Sequence, residues 1–154
     1  MKKIIYIGLL LLIVIIIFMA LGPKFSNKYM LNLDMSVSSN VVNTGDEVEY
    51  IIKTDKTIVA CNFNIIYDKD VLEFVESTTP GLYADVNDEK VACIYVDMTN
   101  IGINEFKIKF KAIKNTSETQ LGITNVKFRE KDKDTSYVDT DINGVNQKIK
   151  VKIQ

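Results

Sequence analysis

Three stretches of this chain alternate apolar and charged side chains with a period of two. Phe106, Ile108, Phe110 and Ala112 are interleaved with Lys107, Lys109 and Lys111. Ile149, Val151 and Ile153 are interleaved with Lys148, Lys150 and Lys152, and Val48, Tyr50 and Ile52 follow Glu47 and Glu49 in the same way. Successive side chains of a strand point to opposite faces, so each stretch is a strand with one buried and one wet face. The lysine rows also discourage edge-to-edge association. Further strands are predicted at 31–37, 58–67, 71–76, 91–98 and 121–129. Turn-forming clusters separate them: Asn43-Thr44-Gly45-Asp46, Asp68-Lys69-Asp70, Pro80-Gly81, Asn87-Asp88, Asn100-Ile101-Gly102, Asn115-Thr116-Ser117 and Asn143-Gly144. No segment after residue 30 keeps a helical period. Eight or nine short strands in such a span predict an antiparallel β-sandwich, with Phe63, Ile65, Tyr67, Phe106, Phe110 and Phe128 on its inward rows.

The N-terminal part has a different pattern. Residues 4–22, IIYIGLLLLIVIIIFMALG, carry no charge. As a helix this run would be about 28 Å long, close to the roughly 30 Å of a bilayer's hydrocarbon core. Residues 1–22 are therefore expected to be a single-pass transmembrane signal anchor and 23–30, PKFSNKYM, a juxtamembrane linker. Residues 31–154 then form an extracellular domain on a cell membrane, with Lys2 and Lys3 left in the cytoplasm. A competing reading is a cleaved leader that releases a secreted domain, since Ala20 and Gly22 form a small-x-small site. No cysteine stands near the exit of the apolar run, which excludes a lipoprotein anchor.

Composition removes several functions. The chain has no histidine, which excludes Ser-His-Asp and Cys-His catalysis and most zinc chemistry. Residues 29–154 carry 15 bases against 20 acids, a poor footprint for nucleic acid, which is not expected as a partner. No motif marks any of the carboxylates, and a sandwich without long loops offers little room for a substrate cleft. The chain is read as a non-enzyme with no catalytic residue and no cofactor. Asp139-Thr140-Asp141-Ile142-Asn143-Gly144 matches the first six positions of a calcium loop, but Lys150 stands at position twelve, where a glutamate is required. It is read as a turn, and no metal site is expected. For sugar stacking there is no tryptophan, and Tyr83, Tyr95 and Tyr137 are the candidates.

One set of segments resembles a known family. Thr44-Gly45-Asp46-Glu47-Val48 opens a strand after a turn. Cys61-Asn62-Phe63-Asn64-Ile65-Ile66-Tyr67-Asp68-Lys69-Asp70-Val71-Leu72-Glu73-Phe74 follows. Then come Gly102 to Ala112 and the closing Asp141-Ile142-Asn143-Gly144-Val145. In that order and spacing, over roughly residues 31–154, the set resembles a cohesin domain. Its sharpest piece is F-x-I-x-Y-D-x-x-V-L-x-F, with Lys69 where the family often has proline. The resemblance implies a nine-stranded jelly-roll sandwich, related in fold to carbohydrate-binding modules, with a dockerin-like protein partner held on the sheet containing 60–67. The matching contact positions are Asn62, Ala60 and Asn64, where the family tends to carry an acid at the first and a polar residue at the second. Tyr83 and Tyr95 are added as surface candidates. The fold also brings the strands of Cys61 and Cys93 near each other, leaving two readings: a disulfide, or two separate buried thiols. The function implied is a membrane-anchored interaction module for a protein or a cell-surface polysaccharide. The alternatives are a carbohydrate-binding module in polysaccharide degradation and a structural ectodomain of the cell envelope.

Overall fold

The computed structural model describes residues 30–87, 89–134 and 136–154. The apolar run 4–22 lies outside them. Among the described residues, no helix is long and apolar enough to cross a membrane. What they form is almost entirely strand: β1 Leu31–Val37, β2 Val41–Val42, β3 Glu47–Ile66, β4 Leu72–Ser77, β5 Leu82–Asn87, β6 Lys90–Val96, β7 Ile103–Ala112, β8 Thr116–Glu130, β9 Ser136–Val138, β10 Ile142–Asn143 and β11 Ile149–Ile153. A single 3-10 turn, Asp139–Asp141, links β9 to β10.

β3 organises both layers of the sandwich. Its first half, up to Lys53, pairs antiparallel with β1 on one side and β7 on the other, and β4 continues that layer beyond β7. From Ile58 onward it pairs with β6 and β8, and β5 extends this second layer beyond β6. The changeover falls at Thr54–Thr57, where the ladder to β7 loses register. There the Thr54 hydroxyl donates to the Lys56 carbonyl at 2.6 Å, and the Asp55 carboxylate accepts from the Asn32 backbone N–H at 2.9 Å and its side-chain amide at 2.6 Å. Backbone groups that leave one ladder are thus partnered locally before the strand joins the next.

The core forms between the layers. Phe63, Phe106 and Phe128 are buried with ring centroids 5.8–5.9 Å apart, and Tyr95 sits edge-on to Phe106 at 5.9 Å. Such ring pairs add about 0.5–1.5 kcal/mol each beyond the area they bury. Tyr50 is also fully buried, and its hydroxyl donates to the Met35 sulfur at 2.8 Å. Tyr67 is only half-buried, stacked at a tilt on Phe110 at the core's margin.

The all-β architecture agrees with the alternation in the sequence, but the strand inventory differs from nine antiparallel strands. The segments around 48–52 and 58–67 are one strand, β3. β2, β5, β9 and β10 are additional. β1 with β10 and β2 with β11 pair in parallel. Two-residue strands such as β2 and β10 are too short to show any period, so only their partners reveal them. β8 begins at Thr116, inside the expected Asn115–Ser117 turn.

Candidate functional site

The register builds the outward surface of the β5–β6–β3–β8–β9 layer row by row. In one row Tyr83 lies opposite Ile94, Ile94 opposite Asn62, Asn62 opposite Lys127 and Lys127 opposite Val138. In the next, Val96 lies opposite Ala60, Ala60 opposite Arg129 and Arg129 opposite Ser136. A third runs Asp85, Ala92, Asn64, Thr124. Tyr83 is 64% exposed, Ile94 50% and Val96 59%, a concentration of apolar surface on one side of a small domain.

The small side chain of Ala60 leaves a shallow depression of about 360 Å³ along β3. Ile94 and Val96 form one wall, Lys127 and Arg129 form the other, and Asn62 lies on the floor. Neither Lys127 nor Arg129 takes part in a salt bridge among the described residues, where every ion pair involves other side chains. This surface can receive an apolar group and an anionic one side by side.

The opposite layer presents a different outward face. Lys53 pairs with Glu105 at 3.0 Å, Lys107 with Glu105 at 3.0 Å and with Glu49 at 3.9 Å, and Lys109 with Glu47 at 3.2 Å and Glu76 at 3.3 Å. Hydrogen bonds from Lys53 and Lys107 hold the Glu105 carboxyl below its usual range. That charge ladder is satisfied within the domain and is suited to contact with water.

At one end of the candidate face the β6–β7 loop is tied down by Asp97. Its carboxylate accepts from the Thr99 hydroxyl at 2.6 Å, the Thr99 N–H at 2.7 Å and the Gly102 N–H at 2.6 Å. These bonds hold the Asp97 carboxyl down at about 2. The loop leaves Met98 91% exposed beside Val96. Just inside the same end, the buried Glu130 accepts from Tyr137 at 2.5 Å and pairs with Lys133 at 2.8 Å. Burial pushes this carboxyl up, but the two donors outweigh it and bring the net shift below the ordinary value.

Of the candidate contact residues, Ala60, Asn62, Asn64 and Tyr83 come together on the one outward face. Tyr95 does not. It is 6% exposed and faces inward, because it shares strand parity with Val91 and Cys93. Tyr137 is also a core residue, so a sugar-stacking platform on this surface is reduced to Tyr83. Cys61 and Cys93 are both buried and both free. Cys61 lies opposite Tyr95 and Cys93 opposite Phe63, so the two thiols are diagonal neighbours. Diagonal positions on a sheet are about 7–8 Å apart, beyond the roughly 4.4–6.8 Å Cα separation that a disulfide spans. Burial pushes both thiols up, Cys93 to about 12. In the Asp139–Gly144 segment, Asp139 accepts from the Val126 N–H at 2.6 Å and thereby fastens the turn to β8.

Ile94, Val96, Lys127 and Arg129 were not singled out from the sequence. Their alternation with buried neighbours marks them as outward-facing, but only the register of β6 and β8 on β3 places them beside Ala60 and Asn62.

No protein-family model matches the chain, and no curated protein matches it in sequence. Solved structures do match in shape. A cohesin module from a Clostridium perfringens family 33 glycoside hydrolase superposes with a TM-score of 0.63 at 17% identity, covering 82% of this chain and 98% of that one. A type II cohesin from Bacteroides cellulosolvens gives 0.63 at 16% identity, over 80% and 99% of the two chains. A chain from a type II cohesin–X-dockerin complex of Acetivibrio cellulolyticus gives 0.54 at 13% identity, over 81% and 99%. The described domain therefore has a cohesin-like β-sandwich fold.

Proposed function

We propose that the domain is a non-catalytic interaction module that holds a protein partner against the outward face of β5, β6, β3 and β8, and that residues 4–22 tether it to the outside of a cell membrane. The contrast between the two sheet faces carries this reading. One face neutralises its own charges in a ladder, while the other exposes Tyr83, Ile94 and Val96 on the same side as Lys127 and Arg129, which form no salt bridge among the described residues. Interfaces are typically built around a few apolar or aromatic anchors within a polar rim. The cohesin-like fold supports the same reading, since one solved neighbour comes from a cohesin–dockerin complex. The tether is supported by the length and unbroken apolarity of 4–22. The test is photocross-linking on intact cells expressing the full chain, with a benzophenone amino acid at Tyr83 or, as control, at exposed Lys111 on the other layer. A discrete protein adduct from the Tyr83 site alone is expected. Adducts from both sites or from neither refute the docking face. External protease should remove the domain from intact cells, and full protection refutes the outside location.

A further inference from the structure

We infer that a second copy of this chain joins β5 edge to edge, antiparallel, about a two-fold axis at Ala84. β5 is an outer strand, paired with β6 on one side and, among the described residues, with no strand on the other. Sheet edges are usually blunted by shortness, bulges, lysine or proline. The other outer strands of the described residues conform. β2 and β10 are two residues long, β9 is three, and β4, which carries Glu73 and Glu76, shifts register between Phe74 and Glu76. β5 runs over six residues, Leu82–Asn87, in continuous register with β6, and it holds neither lysine nor proline.

The backbone of β5 offers the groups that such pairing needs. Asn87 pairs with Lys90 across a two-residue loop, and a turn of that length closes with a hydrogen bond between its end residues. Tyr83, Asp85 and Asn87 therefore turn their N–H and C=O groups towards β6, while Leu82, Ala84 and Val86 turn theirs to the open edge. Two bonds agree with this alternation. The Val86 N–H donates to the Asp85 carboxylate at 2.8 Å, and the Leu82 N–H donates to the Thr79 carbonyl at 3.2 Å.

The side chains choose the register and the occupant. Facing residues of an antiparallel pair lie on the same side of the sheet. With Ala84 facing Ala84 of the second copy, Tyr83 faces Asp85 and Leu82 faces Val86, and the two-fold axis makes each contact twice. Val86, 46% exposed in the single domain, then gains an aliphatic neighbour, and each Asp85 carboxylate gains a phenol beside it. Sliding one copy by two residues in one direction sets Asp85 against Asp85. Sliding it in the other sets Tyr83 against Tyr83 and leaves Val86 uncovered. Of the other charges, Glu89 at the hairpin tip is met by Lys69 at 2.8 Å, and Lys90 lies one strand further in, on β6. The edge is thus complementary to itself, which favours a second copy over a strand of another protein.

Strands of this length make a small and transient contact, so the test traps it covalently. The full chain in detergent is prepared as two variants, Tyr83→Cys and Asp85→Cys, and oxidised with copper phenanthroline either separately or as an equimolar mixture. In the proposed register a Cys at 83 of one copy faces a Cys at 85 of the other at a Cα separation of about 4.5 Å, within the roughly 4.4–6.8 Å that a disulfide spans. Equal positions of the two copies are diagonal, about 7–8 Å apart. The native thiols, Cys61 and Cys93, are buried. The mixture should therefore give a covalent dimer that neither variant gives alone. Adding Val86→Lys to both variants, a change at an exposed position of the edge, should cut that yield about tenfold. A mixture that gives no dimer overturns the inference. So does a dimer formed equally well by either variant alone, as contact through another part of the chain would produce, or a yield that Val86→Lys leaves unchanged.

Discussion

Tyr83 lies across the ladder from Ile94, while Tyr95 lies across from Leu82, so the two tyrosines of one hairpin face opposite sides of the sheet. Tyr83 belongs to the candidate docking surface and Tyr95 to the aromatic core around Phe106. Tyr95→Ala is expected to cost about 3 kcal/mol or more of stability, as large-to-small changes of buried aromatics do. Tyr83→Ala is expected to stay within about 0.5 kcal/mol while losing most partner binding. Urea denaturation of the two variants side by side checks this, and equal midpoints would contradict the assignment of faces.

Gly144 and Gly45 both have positive φ, at 92° and 99°, but only Gly144 is crowded. A Cβ there would stand 2.6 Å from the Leu33 carbonyl oxygen, a backbone atom, whereas a Cβ at Gly45 meets nothing within 4 Å. Gly45→Ala should cost only the conformational strain, about 1 kcal/mol. Gly144→Ala should cost clearly more, because β1 must move away from β10 to admit the methyl group. Thermal melts of both variants measure the difference.

The two thiols give a chemical check on the core. Burial holds both in the neutral form, Cys93 with its pKa at about 12, so neither offers a thiolate at neutral pH. A thiol reagent should label the native chain very slowly. It should label two cysteines at once when the unreduced chain is unfolded in denaturant. Recovery of thiols only after reduction would show that Cys61 and Cys93 had bridged.

Asp97 provides a pH dependence. Its folded value is lowered from 3.8 to about 2, first by the Thr99 hydroxyl and then by the Gly102 and Thr99 N–H groups. A carboxylate depressed on folding stabilises the fold above its unfolded value, and that contribution is lost as pH falls through the folded value. The tie that anchors the Asp97–Gly102 loop should therefore be intact above about pH 4 and released between there and about pH 2. The Thr99 and Gly102 amide resonances should titrate in that window in the wild type and show no such step in Asp97→Asn.

Much of the fold can be read locally. The rows Phe106-Ile108-Phe110 and Val151-Ile153 needed only their own alternation to be assigned a buried side, and the structure buries all five. β5 could have been found the same way. Pro80-Gly81 and Asn87-Asp88 bracket five residues in which Leu82, Ala84 and Val86 alternate with Tyr83 and Asp85. Applied to β6, that reasoning also turns Tyr95 inward with Cys93. β2 and β10 carried no such signal, since each is two residues long and exists only because β11 and β1 run beside it.

The sequence by itself thus determined that residues 31–154 would fold as strands and which side of the longer ones would be buried, because a period of two is a property of neighbours along the chain. Which strands lie side by side, and in which register, was decided only in three dimensions. Asn62 meets Lys127 across 65 positions and Ile94 across 32, through backbone hydrogen bonds that no local pattern specifies. The diagonal thiols, the inward turn of Glu130 and the basic wall beside Ala60 all depend on that pairing.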